Sequence, residues 1–537
     1  MRKLLPLALL LLFAPATLPA QLAAPHVRIT QGELSGQVTT LGPLVFKGIP
    51  YAAPPIGPLR WHAPQPPAPW KGVHDATIFG PVCMQHPSRM IPASAMSEDC
   101  LSLNIWTPSL HPAEPAPVLV YIHGGAFTAG SGSWPGYDGS ALASRGAVIV
   151  TLNYRLGVFG FFAHPDLTAA SPHHASGNYG LLDQLAALRW VRNNIAAFGG
   201  NPRNVTVFGE SAGATSVGYL MVSPLAAGLF DRAILESSSL LFTAAPELST
   251  DYDGITSVEA VGLAVTPHIA DIQNLPATQV MALANAAAEK LLGPGGTGRT
   301  RIRPETTLNY PNAVQLPWAP IVDGYVIPDQ PASLYAQNRF LHIPTLAGTN
   351  ANEGSVFLTR YHPASTASFA AWVNEQFAPC GKTVLAYYGP KSPAEAHDAA
   401  DRLLTDSVFL HNAFLFARDT HGYLYRFTHV SPFGAARGLG AFHSSELPYV
   451  FGHTHRPGYQ PADHRLSDKI MTMWLHFART GDPNLMNSTG WTRIGSNGET
   501  PYMDLGDTFQ VKSLPDSSFI TFADPKVCQA RQFATIR

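Results

Sequence analysis

Six stretches of the chain run as nearly unbroken apolar or β-branched residues: 116–123 (APVLVYIH), 147–153 (AVIVTLN), 204–210 (NVTVFGE), 232–237 (RAILES), 343–349 (IPTLAGT) and 423–430 (YLYRFTHV). Strands exposed on one face alternate apolar with polar residues; these do not, so they predict strands buried on both faces of a largely parallel sheet. Between them, LLDQLAALRWVRNNIAAF (181–198), the segment opening at Ser211, and RLSDKIMTMWLHFARTG (465–481) space their apolar residues as helices do. Strands alternating with helices predict an α/β fold whose sheet is covered on both sides. From 240 to 330 the pattern changes. A helical stretch, VMALANAAAEKLL, leads into GPGGTGRTRIRPE with Arg299, Arg301 and Arg303. Its glycines match no phosphate-loop spacing and no strand feeds them, so the expectation is a solvated, cap-like insertion on one domain spanning 21–537.

The first residues, MRKLLPLALLLLFAPATLPAQ, join a basic Arg2-Lys3 start to an apolar run from Leu4 to Ala14 and small residues near Ala20. This is the pattern of a secretory leader. The run falls short of the ~20 apolar residues that span a bilayer, and Pro6 and Pro15 interrupt it. The expectation is a signal peptide over 1–20, cleaved after Ala20 with Ala23 as the rival, and a periplasmic or extracellular protein with no stable membrane insertion. The 34 basic and 36 acidic residues nearly balance, which excludes the broad positive field of a nucleic-acid binder. Charged residues are only 13 %, while Gly (46) and Pro (48) are plentiful. That suits long ordered loops rather than heptads.

Export would allow the four cysteines to pair. Cys83 and Cys100 enclose a polar segment, and a disulfide closing a loop of that size stabilises by about 3 kcal/mol; Cys380 and Cys528 could tie the C-terminal tail to the body. Four cysteines allow three pairings, which spacing does not resolve. No CxxC spacing is present and the one CxxH, Cys83-Met84-Gln85-His86, has no second ligand pair, so neither a metal nor a cofactor is expected.

The sharpest chemical signal is Gly209-Glu210-Ser211-Ala212-Gly213, placed after an apolar strand and before a helix. A strand-turn-helix corner holds such a serine exposed and strained, and the flanking glycines relieve the crowding. Acyl transfer at a serine also needs fixed donors for the tetrahedral oxyanion. Strand 116–123 runs into His123-Gly124-Gly125-Ala126-Phe127, so the amides of Gly124, Gly125 and Ala212 are the candidate oxyanion hole, with His123 structural. In this architecture the partners follow as acid, then histidine. Glu353 lies just past strand 343–349, and His443 lies in a Gly-containing loop beyond strand 423–430. His429 falls inside that strand and His476 inside a helix, where packed or hydrogen-bonded roles fit better.

At these residues the chain resembles the type-B carboxylesterases, the α/β-hydrolase family that also contains cholinesterases and bacterial para-nitrobenzyl-type esterases. FGGNPRNVTVFGESAG (198–213) matches the family's serine signature. Glu98-Asp99-Cys100-Leu101 through Asn104-Ile105-Trp106-Thr107-Pro108 matches a second, with Ser102 where the family usually has an aromatic residue or Thr. Further family-like blocks run from about residue 27 to 515, among them FKGIPYAAPPIGPLRW (46–61), LNYRLGVFGFF (152–162) and HSSELPYVFG (443–452). The resemblance implies a Ser211–Glu353–His443 triad and a hole built by Gly124, Gly125 and Ala212. It also implies support from Ser237 and from Glu210, a structural Arg60–Glu98 ion pair, and pairing of Cys83 with Cys100.

Two departures bear on substrate and local geometry. Cholinesterases carry a choline-binding tryptophan in the first disulfide loop, whereas the segment 84–99 holds no Phe, Tyr or Trp, so no cation–π platform for a quaternary ammonium exists there. Ser237-Ser238-Ser239 stands where the family reads Ser-Gly-Ser. The expected chemistry is hydrolysis of a small-molecule carboxylic ester through an acyl-enzyme. Because the base must be neutral, the rate should fall on the acid side near the histidine reference of about 6.5. The alternatives are the same fold acting on an amide, carbamate, polyester or large polyacid natural-product ester, and a non-catalytic recognition module. Asn204 and Asn487 open Asn-x-Ser/Thr sites, of which Asn204 borders a buried strand.

Overall fold

The computed structural model describes residues 24–514 apart from 90, 240, 253–255, 293–317, 359–362, 364, 378–380, 486–489 and 496–498. The leader, Cys380, Cys528, Arg299, Arg301, Arg303 and Asn487 lie outside the described residues. Among those described, the central element is an eleven-stranded sheet. In chain order its strands are β1 (Gln37–Val38), β2 (Leu44–Pro50), β3 (Ser102–Thr107), β4 (Ala116–Ile122), β5 (Val148–Leu152), β6 (Gly200–Glu210), β7 (Arg232–Glu236), β8 (Thr345–Asn350), β9 (Tyr423–Phe427), β10 (Pro501–Leu505) and β11 (Phe509–Ser513). Across the sheet they lie β11-β10-β9-β8-β7-β6-β4-β5-β3-β2-β1. Pairing is parallel from β5 through β4 and β6 to β10 and antiparallel at both edges.

The unbroken apolar runs are explained by burial on two faces. Along β4, Val118, Val120 and Ile122 enter one hydrophobic cluster while Leu119 and Tyr121 enter another. β6 and β7 divide likewise, Val205, Val207, Ala233 and Leu235 to the first cluster, Phe208 and Ile234 to the second. The first face is covered by α1 (Tyr179–Asn194) and α2 (Ala212–Val222). The second is covered by α4 (Pro461–Thr480), whose Leu466, Ile470, Trp474 and Phe477 recur at helical spacing. Each fully buried side chain of this size contributes about 1.5–3 kcal/mol.

Glycines set the element ends. α1 continues through a tighter turn over Ile195–Phe198 and stops at Gly199, whose φ of +76° is the left-handed conformation common after helices. In the 240–330 segment, α3 (Ala277–Leu292) places Val280, Ala284 and Ala288 in the same cluster as β4. This helix is thereby packed onto the main core. One boundary differs from the sequence expectation: β9 ends at Phe427, so His429 stands beyond it. Its rings nitrogens meet the carboxylates of Asp463 (2.8 Å) and Asp507 (2.7 Å), and it ties the strand's exit to the first turn of α4. Thr428 N still donates to Leu505 O (3.2 Å) before the chain reaches this clasp. Asn204 lies within β6 and its amide oxygen accepts from Arg232.

Candidate active site

The C-terminal ends of β4, β6, β7 and β8 converge, and the candidate residues leave from them. Ser211 follows β6 directly and precedes α2, with φ 57° and ψ −123°, a conformation that costs a non-glycine residue about 1–3 kcal/mol. Its N–H donates to Glu236 O (2.9 Å), and its carbonyl accepts from Thr215 N (2.9 Å), which hold the corner. A Cβ on Gly209 would stand 2.7 Å from Ile122 O, and one on Gly213 only 2.0 Å from the same atom. The two glycines let β6 and α2 press against the end of β4.

The loop after β4 packs on that corner. A Cβ on Gly124 would meet Glu210 O at 2.7 Å and Ser211 Cβ at 3.0 Å. Gly125, Ala126 and Phe127 then take three successive positive φ values (110°, 54° and 60°). Among the described residues no hydrogen bond occupies the amides of Gly124, Gly125 or Ala126. His123 is buried, stacks on Tyr154, and bonds Gly124 O through Nδ1 (2.8 Å). Burial pulls it down to about 4, so it stays neutral, and the Gly124 carbonyl that it holds fixes the opposite-facing Gly125 N–H of the same trans peptide.

Glu353, fully buried, follows β8. Its Oε1 accepts from Ser237 Oγ (2.5 Å), Thr349 Oγ1 (2.8 Å) and Asn350 N (2.6 Å), and its Oε2 faces His443 Nδ1 at 2.5 Å. At the Ser-Ser-Ser block, the positive φ belongs to Ser237 (53°) and Ser238 has none. The middle position therefore does not need the family's glycine. The ring of His443 packs against Phe357 and Phe409. Its Nε2 lies 3.1 Å from Glu210 Oε1, and Ser211 Oγ makes no hydrogen bond to another described residue.

Three carboxyls surround this group: Glu210, expected there from the resemblance, and Glu236 and Glu446, which sequence reasoning did not single out. Glu210 Oε1 accepts from Ser444 Oγ (2.5 Å), Glu236 Oε1 from Trp474 Nε1 (2.6 Å), and Glu446 Oε2 from Asn350 Nδ2. Burial raises all three carboxyls, Glu236 to about 8 and Glu446 well above its usual range. Burial alone would lower His443, but the Glu210 and Glu353 carboxylates outweigh it and push the imidazole up to about 9. The sequence-based expectation of titration near 6.5 is corrected upward, because residues 210, 353 and 446 meet around one ring only after folding. Nothing in the sequence marks Glu236 or Glu446 beyond their positions, one before Ser237 and three after His443.

Farther out, Arg60 and Glu98 form a bidentate pair (2.7 and 2.6 Å), and Cys83–Cys100 is a disulfide with Cα atoms 5.0 Å apart. Among the described residues no cluster of His, Cys, Asp or Glu could hold a metal. No described helix is long and apolar enough to cross a membrane.

A strained serine between a parallel strand and a helix, on a sheet covered on both sides, is the arrangement of an α/β hydrolase. The profile of the carboxylesterase family matches residues 23–522, and the chain belongs to that family. It is 38 % identical over 474 residues to a fumonisin B1 esterase of Sphingopyxis macrogoltabida (84 % of this chain, 82 % of the relative). It is 37 % identical over 475 residues to a para-nitrobenzyl esterase of Bacillus subtilis strain 168 (84 % and 89 %), and 35 % identical over 514 residues to carboxylesterase 5A of Canis lupus familiaris (87 % and 84 %). A solved PNB esterase structure superposes with TM-score 0.76 at 32 % identity, covering 94 % of this chain and all of that one. The protein is accordingly a carboxylic-ester hydrolase acting on small-molecule esters.

Proposed function

We propose that the ester is cleaved by double displacement with Ser211 as nucleophile, His443 as general base and acid, and Glu353 as the carboxylate that orients and stabilises the imidazolium. The observation that carries this reading is the 2.5 Å contact between buried Glu353 Oε2 and His443 Nδ1, which leaves Nε2 as the working nitrogen beside the residue preceding Ser211. Nε2 takes the Ser211 proton as Oγ attacks the carbonyl carbon. The unoccupied amides of Gly124 and Gly125, with Ala212 at the start of α2, receive the oxyanion. The tetrahedral intermediate collapses, His443 protonates the departing alcohol, and water activated by the same nitrogen releases the acid and restores Ser211. Apo hydrogen bonds in such sites are often loose and tighten with substrate, which accounts for Nε2 resting on Glu210.

The carboxylate of Glu210 holds the protonated ring, Ser237 holds Glu353, and the whole forms one catalytic domain. The leader-like residues 1–20 and the Cys83–Cys100 disulfide together support export to the periplasm or the exterior. The relative named as a fumonisin B1 esterase adds fumonisin B1 to the substrates to be tried. Ser211→Ala should abolish turnover of p-nitrophenyl butyrate while the melting temperature stays near wild type; a folded variant that keeps substantial turnover would exclude this assignment. Stoichiometric labelling of Ser211 by an organophosphate separates the reading from a non-catalytic recognition module.

A further inference from the structure

The segment that carries Glu353 is stitched to the segment that carries His443. Asn350 Nδ2 donates to Phe442 O (2.8 Å), Asn352 Oδ1 accepts from Ala441 N (3.0 Å), and Ser355 Oγ donates to Leu439 O (2.9 Å). Asn352 N also donates to Ala441 O (2.9 Å). Residue 352 thus closes a two-way link with the residue two positions before His443. The approach is close: a Cβ on Gly440 would collide with the Asn352 side chain.

The Glu353 segment is gripped a second time, from the helix Ala396–Leu404 and the wider, π-type turn Thr405–Leu410 that prolongs it. Asn352 Nδ2 donates to Asp401 Oδ2 (2.8 Å). Gly354 N donates to Thr405 Oγ1 (3.1 Å), and that hydroxyl donates to Asp401 Oδ1 (3.2 Å). The residues before and after Glu353 are therefore both tied to one buried carboxylate–hydroxyl pair. A Cβ on Gly354 would stand 2.8 Å from both Asp401 O and Asp401 Oδ1, so a side chain there would force the brace apart. The same turn reaches the base, because Phe409 lays its ring against His443 with centroids 5.0 Å apart. Turns of this π type break the regular ladder of a helix and recur at functional sites.

We propose that Asn352, Asp401 and Thr405 are positioning residues for the reaction: they hold the peptide units on both sides of Glu353 so that its carboxylate meets His443 Nδ1 at 2.5 Å. The inference rests on the reading of Glu353 and His443 as acid and base. The side-chain hydrogen bonds of the three residues end on the Glu353 and His443 segments and on one another, not on Ser211 or the oxyanion amides. Their influence on the reaction therefore passes through geometry. The imidazolium gains from the carboxylate only while the two stay in line, and a misplacement of about 1 Å costs on the order of 10²-fold in rate. Loosening the brace should lower kcat and leave KM alone, since the groups that meet the ester are untouched.

Thr405→Val keeps the side-chain shape and removes the hydroxyl, whereas Thr405→Ser keeps the hydroxyl. With p-nitrophenyl butyrate at low temperature, Thr405→Val should lower kcat about tenfold or more with KM within twofold of wild type. It should also shift or broaden the far-downfield proton resonance of the Glu353–His443 hydrogen bond. Thr405→Ser should restore kcat to within threefold of wild type and keep that resonance. Asn352→Ala should behave as Thr405→Val does, and it keeps the test available where the valine variant fails to fold. A brace that serves folding alone would lower the melting temperature and leave kcat and the resonance where they are. That outcome in Thr405→Val and Asn352→Ala would overturn the proposal, as would a Thr405→Ser enzyme as slow as Thr405→Val. Failure of the acid assignment reads separately, as wild-type turnover retained in Glu353→Gln.

Discussion

Gly124→Ala tests how closely the oxyanion loop must lie on the serine corner. The new Cβ would stand 2.7 Å from the Glu210 carbonyl oxygen, 2.9 Å from Glu210 Oε2 and 3.0 Å from Ser211 Cβ. Relaxed carbon contacts sit near 3.5 Å, so the loop must retreat by roughly 0.7 Å. Glu210 Oε2 could turn aside, but Glu210 O and Ser211 Cβ belong to the corner that β6 and α2 hold rigid. Gly124 itself is not among the residues with positive φ, so the substitution adds crowding without backbone strain, and the cost should fall on geometry rather than folding. Oxyanion donors act over a window of about 2.7–3.1 Å, and losing one costs about 10²–10³ in kcat, or roughly 2.7–4 kcal/mol of transition-state stabilisation. The assay is kcat and KM for p-nitrophenyl butyrate beside a thermal melt. A loss of at least a hundredfold in kcat, with KM and melting temperature little changed, is expected. A kcat within threefold of wild type would refute the placement of the hole.

The pH profile of kcat/KM should fall on the acid side with a midpoint above 6.5, because the carboxylates around His443 favour its protonated, inactive form; Glu210→Gln removes one of those charges and should move that limb to lower pH, and an unmoved limb would contradict the coupling. Replacing both Cys83 and Cys100 by Ala opens a loop with a sequence separation of 17 and should cost about 3 kcal/mol in urea melts; an unchanged midpoint would show that the loop is held by Arg60 alone. Asp183→Asn breaks the buried bidentate pair with Arg155 (2.8 Å to each oxygen) and should destabilise by about 3–5 kcal/mol, read as a lowered melting temperature with kcat retained at low temperature.

The candidate site was legible wherever its chemistry is written in consecutive residues. Ser211 could be found because an apolar strand, a glycine-flanked serine and a helix follow one another, and Gly124 and Gly125 because two glycines end a buried strand. Glu353 and His443 were reachable by order along the chain and by resemblance. Glu236 and Glu446 were not, since an isolated glutamate in a sequence carries no sign of how deeply it is buried or which carboxylates it will meet. His429 misled for a related reason: apolar content extends a predicted strand, but this one ends at Phe427 and the His429 ring is held by aspartates from two later segments.

By itself, the sequence determined the strands and helices, their alternation and the turn chemistry at the corner, because side-chain periodicity and glycine stereochemistry are local properties. Tertiary structure decided what separate strand ends share: which carboxyls crowd His443, which segments clamp the residues beside Glu353, and how far the imidazole is raised. Those quantities depend on distance and desolvation between residues hundreds of positions apart, and no local pattern of side chains encodes them.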